Sequence, residues 1–542
     1  MAEKKPDIII ILNDDMGYSD IGCYGGEIET PNLDRLASGG LRYSQFYNTA
    51  RCSPSRASLL TGLHPHQTGI GILTYDTGPE GYAGDLGRNG VTMAEVLKGA
   101  GYHTCLSGKW HVAQDLTEPT DSWPLQRGFD EFYGTIIGAG SFYHPNTLTR
   151  GNTNIDHEAA GNPDFFYTDA ISDQAATFIR EHHAGSPDTP LFQYVAYTAP
   201  HWPLHAHPED IEKYRGRFDA GWDKLREERL QRMVRAGIIH PNWQLTDRDP
   251  TQPPFENADE KAWLLRCMEV YAAQIDRMDQ GIGKILAALE ETGRLDNTLV
   301  LFLSDNGACA EDIPEGVDLR SLVDDLMIAR GTTRDGRPVR LGNDPSIMPG
   351  AEDTYQSYGV AWANLSNTPF RLYKHWIHEG GISTPLIAHW PNAIPARGEL
   401  RHTPGQLPDL MATVVEVSGA TYPKAHAGHE ILPLEGTSLV PSFAADQPRE
   451  APLFWEHEGN AAVRTGKWKL VRKYPDPWEL YDMESDRTEM HDLAAAHPDR
   501  VTTMLGLYED WAARCGVIPR ETVLESMKKL GGTAFWEKED GA

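Results

Sequence analysis

Five short apolar runs punctuate the chain at residues 8–12, 102–107, 190–197, 298–303 and 384–389. Each is too short for a helix of ordinary length and reads as a strand; 8–12 and 298–303, the most continuous, predict strands buried in a covered sheet. Between them lie stretches whose apolar positions recur every three to four residues. Residues 31–40, 91–100, 166–183, 208–237 and 407–417 read as helices. Residues 256–292 form the longest, with Leu264, Met268, Tyr271, Ile275, Met278, Ile282, Ile285 and Leu286 on one stripe that would pack on the sheet. From about 310 to 369 the periodicity fades into Gly, Pro, Asp and Asn, with one helix expected at 319–328, as in an irregular substrate-facing insertion. After 439–443 and a connection at 444–452 the pattern changes again. Residues 462–471 alternate as a hairpin, 478–481 read as a third strand, and 498–514 as a helix packing on them. The expected fold is α/β, a large mixed and mostly parallel sheet covered by helices on both faces. A smaller C-terminal α+β subdomain follows. The expected domains are 1–445 and 446–542.

Composition narrows the function. The 542 residues are 40% hydrophobic, as in ordinary globular proteins, and carry a formal net charge of −29. That field disfavours nucleic acid and anionic membranes as partners. It also repels an anionic substrate, so any anion site must bring its own positive charge. Six cysteines stand without disulfide or zinc spacing. With no signal-peptide or transmembrane run, a cytoplasmic protein is expected. The tail 531–542 contains Phe535-Trp536, which would dock on a neighbouring copy in a homo-oligomer.

The chemistry sits where the strands end. The first run ends in Asn13-Asp14-Asp15-Met-Gly17, the second in Gly108-Lys109-Trp110-His111, the third in Ala199-Pro-His201-Trp-Pro and the fourth in Ser304-Asp305-Asn306-Gly307. Taken singly, an acidic pair is also a turn or a cap, and a Lys beside a His is also a solvated turn. In a parallel sheet, however, these ends share one edge, where α/β folds place ligands. Asp14, Asp15, Asp305 and Asn306 then offer hard oxygens suited to Ca²⁺ or Mg²⁺. Many protein oxygens favour Ca²⁺. The stretch Cys52-Ser-Pro-Ser-Arg56 reads as a loop entering a helix, with Ser53 as the expected N-cap. Cys52 would meet the helix N-terminus and Arg56 would offer a fork of donors to an anion. Lys374, before Glu379-Gly-Gly381, is a further candidate cation.

Cys52-x-Pro-x-Arg56 running into Leu60-Thr-Gly62 resembles the signature of the type I sulfatases, in which the Cys is oxidised to formylglycine. With the four strand-end motifs, His378-Glu-Gly-Gly-Ile382 and Trp455-Glu-His-Glu-Gly459, the likeness spans about residues 8–470. It points to the sulfatase branch of the alkaline-phosphatase superfamily, and within it to bacterial arylsulfatases. The resemblance implies one Ca²⁺ held by Asp14, Asp15, Asp305, Asn306 and the modified residue 52, whose aldehyde hydrate would attack sulfur. Arg56, Lys109 and Lys374 would hold the sulfate oxygens. His111 would take a proton from the hydrate and help expel sulfate, and His201 would protonate the leaving oxygen. The implied partners are a small-molecule sulfate ester and a formylglycine-generating maturation enzyme. Two alternatives stand beside this reading: a phosphonate or phosphate ester hydrolase of the same superfamily, and a non-catalytic anion-binding protein with unconverted Cys52. Tyr75, Trp362 and His457 are expected to line the substrate pocket.

Overall fold

The computed structural model describes residues 4–314 and 320–529. Leu319, the tail 531–542 and its Phe535-Trp536 pair lie outside the described residues.

The first half of the chain supplies β1 (Asp7–Asn13), α1 (Pro31–Ser38), β2 (Leu41–Tyr47), α2 (Cys52–Thr61), α3 (Met93–Gly99), β3 (His103–Gly108), β4 (Glu131–Thr135), β5 (Leu148–Arg150), β6 (Thr153–Asn154) and β7 (Leu191–Ala196); β8 (Thr298–Ser304) follows the long helix Lys261–Glu291. The large sheet has eleven strands. Its centre runs β8-β1-β7-β3-β4, all mutually parallel. Beyond β8 lies the antiparallel strand Ser383–His389, then β2, so β2 points the same way as the central five.

The unbroken apolar runs are explained by two cores. In β1, Ile9 and Ile11 join the core on one face, while Ile8, Ile10 and Leu12 join the other. β8 divides the same way, with Val300 and Phe302 opposite Leu299, Leu301 and Leu303. The long helix buries Met268, Tyr271, Ile275, Met278, Ile282, Ile285 and Leu286 against the first face. On the second face sit α2, α3 and the helix Leu407–Ser418. α3 starts with a full capping box, in which the Thr92 side chain accepts from the Glu95 N–H and the Glu95 carboxylate accepts from the Thr92 N–H.

One strand was not anticipated, and two expectations needed correction. β2 carries no apolar run: Leu-Arg-Tyr-Ser-Gln-Phe-Tyr alternates only loosely, and its strand character comes from pairing with Ser383–His389. The helix expected at 319–328 is reduced to a single π-type turn, Ser321–Asp325. The C-terminal sheet has four antiparallel strands, because Leu453–His457 pairs with Asn460–Thr465 ahead of the expected hairpin. The helix Pro498–Cys515 packs on that sheet through Met504, Tyr508 and Trp511.

Candidate active site

Because β1, β3, β7 and β8 are parallel neighbours, their C-terminal ends deliver Asp14, Lys109, His201 and Asp305 to one edge. β2 ends at the same edge and leads into α2. The antiparallel strand Ser383–His389 begins there, which brings in Lys374. Backbone bonds lock the loops together: the Asp305 N–H donates to the Asn13 carbonyl at 3.1 Å, the Lys109 N–H to Ala196 at 2.7 Å and the Asp14 N–H to Ala199 at 3.1 Å. Gly108 is required by this approach, since a Cβ there would stand 1.9 Å from the Ala196 carbonyl oxygen.

α2 is wholly buried, and Cys52 is its first residue. The cap position belongs to Arg51, not to Ser53, whose buried Oγ has no hydrogen-bond partner among the described residues. One turn on, the Arg56 guanidinium is fully buried. It donates to Asp305 Oδ2 from Nη2 at 2.7 Å and from Nε at 3.1 Å, and to the Lys109 carbonyl at 3.2 Å. Lys109 Nζ lies 2.6 Å from Asp14 Oδ2. Lys374 Nζ lies 2.9 Å from Asp15 Oδ2, 3.4 Å from His201 Nε2 and 3.5 Å from Glu311. Each predicted cation therefore lies against a predicted carboxylate, and Arg56 Nη2 also stands 3.9 Å from Asp14 Oδ1.

The oxygen set is incompletely used. Asn306 donates its amide to Asp15 Oδ1 at 2.6 Å, which leaves Asn306 Oδ1 without a partner among the described residues; Asp14 Oδ1 is likewise buried and accepts no hydrogen bond from them. Unpaired buried oxygens are costly. Burial and the neighbouring Asp14 push the Asp305 carboxyl up to about 7. Burial also acts on Asp15, but Lys374 and His201 outweigh it and hold that carboxyl at about 2. One oxygen each of Asp14 and Asp15 lies within 4.8 Å of the other and of a His201 ring nitrogen, and a set this rich in hard oxygens suits a hard divalent cation.

Burial pushes the Cys52 thiol up, although Lys109 and Lys374 pull the other way. The thiolate favoured by the helix N-terminus is overridden, and an unmodified Cys52 is a poor nucleophile. His111 follows β3 with φ 57°, and its ring lies against Gly138, where a Cβ would fall 2.2 Å away. Its Nδ1 has no partner. Burial, Lys109 and Arg56 press its pKa well below the usual range, so it is a neutral base. His201 donates from Nδ1 to the Trp202 carbonyl at 2.6 Å. Burial lowers its pKa to about 4 despite Asp15.

Sequence reasoning missed Arg51 and Glu311. Glu311 accepts from Arg51 at 2.7 Å and from the Trp202 indole at 3.0 Å, tying the nucleophile loop to the His201 loop. Both lie within a few residues of a motif, at Cys52 and at Ser-Asp-Asn-Gly307, which is the signal that could have found them. Backbone strain also marks the site. Of eleven non-glycine residues at positive φ among the described residues, Asp15, Ala50, His111, Leu372, His375 and Glu458 lie in or next to its loops. Trp362 does not line the pocket. It is buried in the core, T-stacked on Trp222 at 5.3 Å. Tyr75 stays near the nucleophile, close enough for its hydroxyl to feel Cys52 and Glu458. No helix among the described residues is long and apolar enough to cross a membrane, and all six cysteines are free thiols.

Residues 6–420 match the sulfatase family model, and residues 370–506 match that of the C-terminal region of N-sulphoglucosamine sulphohydrolase. An arylsulfatase of Klebsiella aerogenes is 33% identical over 457 residues, covering 81% of this chain and 92% of that one. An uncharacterized sulfatase of Schizosaccharomyces pombe is 32% identical over 559 residues, covering 97% of each. Among solved structures, Ps i-CgsB superposes with a TM-score of 0.67 at 25% identity, over 99% of this chain and 100% of that one. The phosphonate monoester hydrolase of Agrobacterium radiobacter shares the fold, with a TM-score of 0.55 at 19% identity over 95% and 96% of the two chains.

Proposed function

The chain belongs to the sulfatase family, and we propose that it hydrolyses sulfate monoesters, aryl sulfates among them, at a formylglycine made from Cys52 beside a single Ca²⁺. The observation that carries this reading is the paired set Arg56–Asp305, Lys109–Asp14 and Lys374–Asp15 around residue 52. With Arg51 and Glu311 added, four cations face four carboxylates, so the protein alone offers an anion no surplus charge. Asp14, Asp15, Asp305 and Asn306 would hold the Ca²⁺, with residue 52 beside them. When bound, the ion supplies the missing positive charge and a Lewis acid for a sulfate oxygen. The same charge would draw the carboxylates toward itself and free Arg56, Lys109 and Lys374 to hold sulfate oxygens and the charge that grows on them in the transition state.

One hydroxyl of a formylglycine hydrate would attack sulfur and displace the alcohol; deprotonation of the second would then reform the aldehyde as the C–O bond to sulfate breaks and sulfate leaves, so water need not attack sulfur. His111, whose pKa burial presses well below the usual range, would take that proton. His201 already spends its Nδ1 proton on Trp202. It must acquire one at Nε2 to protonate the leaving oxygen, and the negative charge of a bound ester favours that.

Peptide mass spectrometry across Cys52 of protein from its own host, paired with 4-nitrophenyl sulfate and bis(4-nitrophenyl) phosphate assays, tests the reading. A formylglycine peptide and faster turnover of the sulfate are expected. An intact thiol in protein that hydrolyses neither ester would leave an anion-binding protein. Faster phosphodiester turnover would move the assignment to the phosphate and phosphonate branch.

A further inference from the structure

Beside residue 52 lies a second polar cluster that the sulfate chemistry does not use. His375 follows Lys374, and its N–H donates to the Ala50 carbonyl at 2.8 Å, two residues before the nucleophile. His457 faces it edge-on, with ring centroids 5.4 Å apart. Glu458 Oε1 stands 3.6 Å from His457 Nε2. One ligand atom from each of the three lies within 4.8 Å of the others.

This cluster is short of partners. His457 has 0% exposure, yet neither ring nitrogen has a hydrogen bond among the described residues; His375 Nδ1 has none either. Surrounding groups fix the remaining valences. The Tyr474 N–H donates to Asn460 Oδ1 at 3.0 Å, which turns the Asn460 amide nitrogen toward His375 Nε2 at 3.4 Å. His375 Nε2 is then the acceptor and Nδ1 carries the proton. Arg520 holds Glu458 Oε2 at 2.6 Å. A metal ion fits poorly here, because His375 presents a proton and the carboxylate is already neutralised by a guanidinium. Hydroxyl groups fit well. Each donates one hydrogen bond and accepts others, matching one N–H from His375, one donor and one acceptor on His457, and Glu458 Oε1.

We propose that His375, His457 and Glu458 form the subsite that grips the alcohol half of the ester, and that it takes a leaving group with hydroxyls on adjacent carbons, such as a sugar ring, over a bare aromatic one. This rests on the sulfatase reading of the Cys52 site. An aryl ring would leave those buried nitrogens unpaired. A site built to hydrogen-bond discriminates strongly against a substrate that lacks the groups.

The test compares kcat/KM for 4-nitrophenyl sulfate with that for a panel of glucose and galactose monosulfates, substituted at O3, O4 or O6. Native enzyme with verified Cys52 conversion is compared with His457→Phe, His457→Gln and Glu458→Gln. The ratio of the best hexose sulfate to the aryl sulfate should fall on the order of a hundredfold in His457→Phe and Glu458→Gln. His457→Gln, which keeps one donor and one acceptor, should recover part of the loss. The ratio is unaffected by the fraction of protein that folds. An unchanged ratio, or native enzyme that cleaves the aryl sulfate and no hexose sulfate, overturns the subsite. Native enzyme that cleaves no sulfate ester overturns instead the reading on which it rests.

Discussion

Two buried ionic networks in this molecule use the same side chains to opposite ends. At the catalytic edge, Asp14, Asp15 and Asp305 face Lys109, Lys374 and Arg56. Where the large sheet meets the C-terminal sheet, Glu379 and Glu489 face Lys469 and Arg487. The second network is saturated. Glu379 Oε1 accepts from Lys469 at 3.0 Å, and its Oε2 from Arg487 at 2.9 Å and the Tyr47 hydroxyl at 3.0 Å. Glu489 accepts from Lys469 and from the Glu379 N–H; Arg487 spends its other nitrogens on the Ser44 carbonyl and Ser383 Oγ. The first network leaves Asp14 Oδ1 and Asn306 Oδ1 without a hydrogen bond among the described residues. Asp15 in the first network is held as low as Glu379 in the second, but Asp305 departs from both. Burial disfavours Glu379 and Asp305 alike, but the Lys469 and Arg487 charges hold Glu379 at about 2, whereas Asp14 adds repulsion and Asp305 rises to about 7. A buried network with nothing left to bind is a fastening, and one with oxygens to spare is a site.

The contrast can be broken most decisively at Asp305. Asp305→Asn removes a carboxylate proposed to hold the metal but keeps an oxygen to accept from Arg56, so turnover should fall on the order of a thousandfold while the urea midpoint falls less than in Lys469→Met. A variant that loses stability and keeps turnover would reverse the two assignments. Lys469→Met should do the converse, costing about 3–5 kcal/mol in urea unfolding because two carboxylates lose a buried partner. Its kcat per folded molecule should be retained. Acid sharpens the same point. Glu379 has a folded pKa below its unfolded one, so its stabilisation is complete above about 4.5 and is lost as pH falls toward 2. The stability gap between wild type and Glu379→Gln, read from unfolding midpoints, should therefore close over that window, by about 2–3 kcal/mol. The smallest effect belongs to Ser53→Ala. A true N-cap would cost about 1 kcal/mol. With Arg51 at the cap position and Ser53 Oγ unpaired, the unfolding midpoint should barely move.

Much of the catalytic edge was legible because short-range pattern and strand ends coincide. An unbroken apolar run means a strand covered on both faces, and the residues after it must emerge at the sheet edge. Asp14, Lys109, His201 and Asp305 were found that way. β2 was not, because an alternating strand next to the sheet's edge has no run to see. Trp362 was misplaced because an aromatic residue in an irregular stretch carries no local sign of whether it faces core or pocket. The His378-Glu-Gly-Gly motif was seen, but not that Glu379 fastens one sheet to the other, since its partners Lys469 and Arg487 lie about a hundred residues away.

The sequence by itself determined the strands marked by short runs, the helical stripes, the residue types at those strand ends and the sulfatase signature at Cys52. All are fixed by spacing over a few residues, the range over which a strand or helix repeats. Tertiary structure alone decided which cation meets which carboxylate, which oxygens stay bare, and that His375 and His457, 82 positions apart, share one unpaired cluster. Those outcomes depend on which strand ends become neighbours and on where each loop turns back. Saturation of a buried charge is a property of that packing, and no local pattern encodes it.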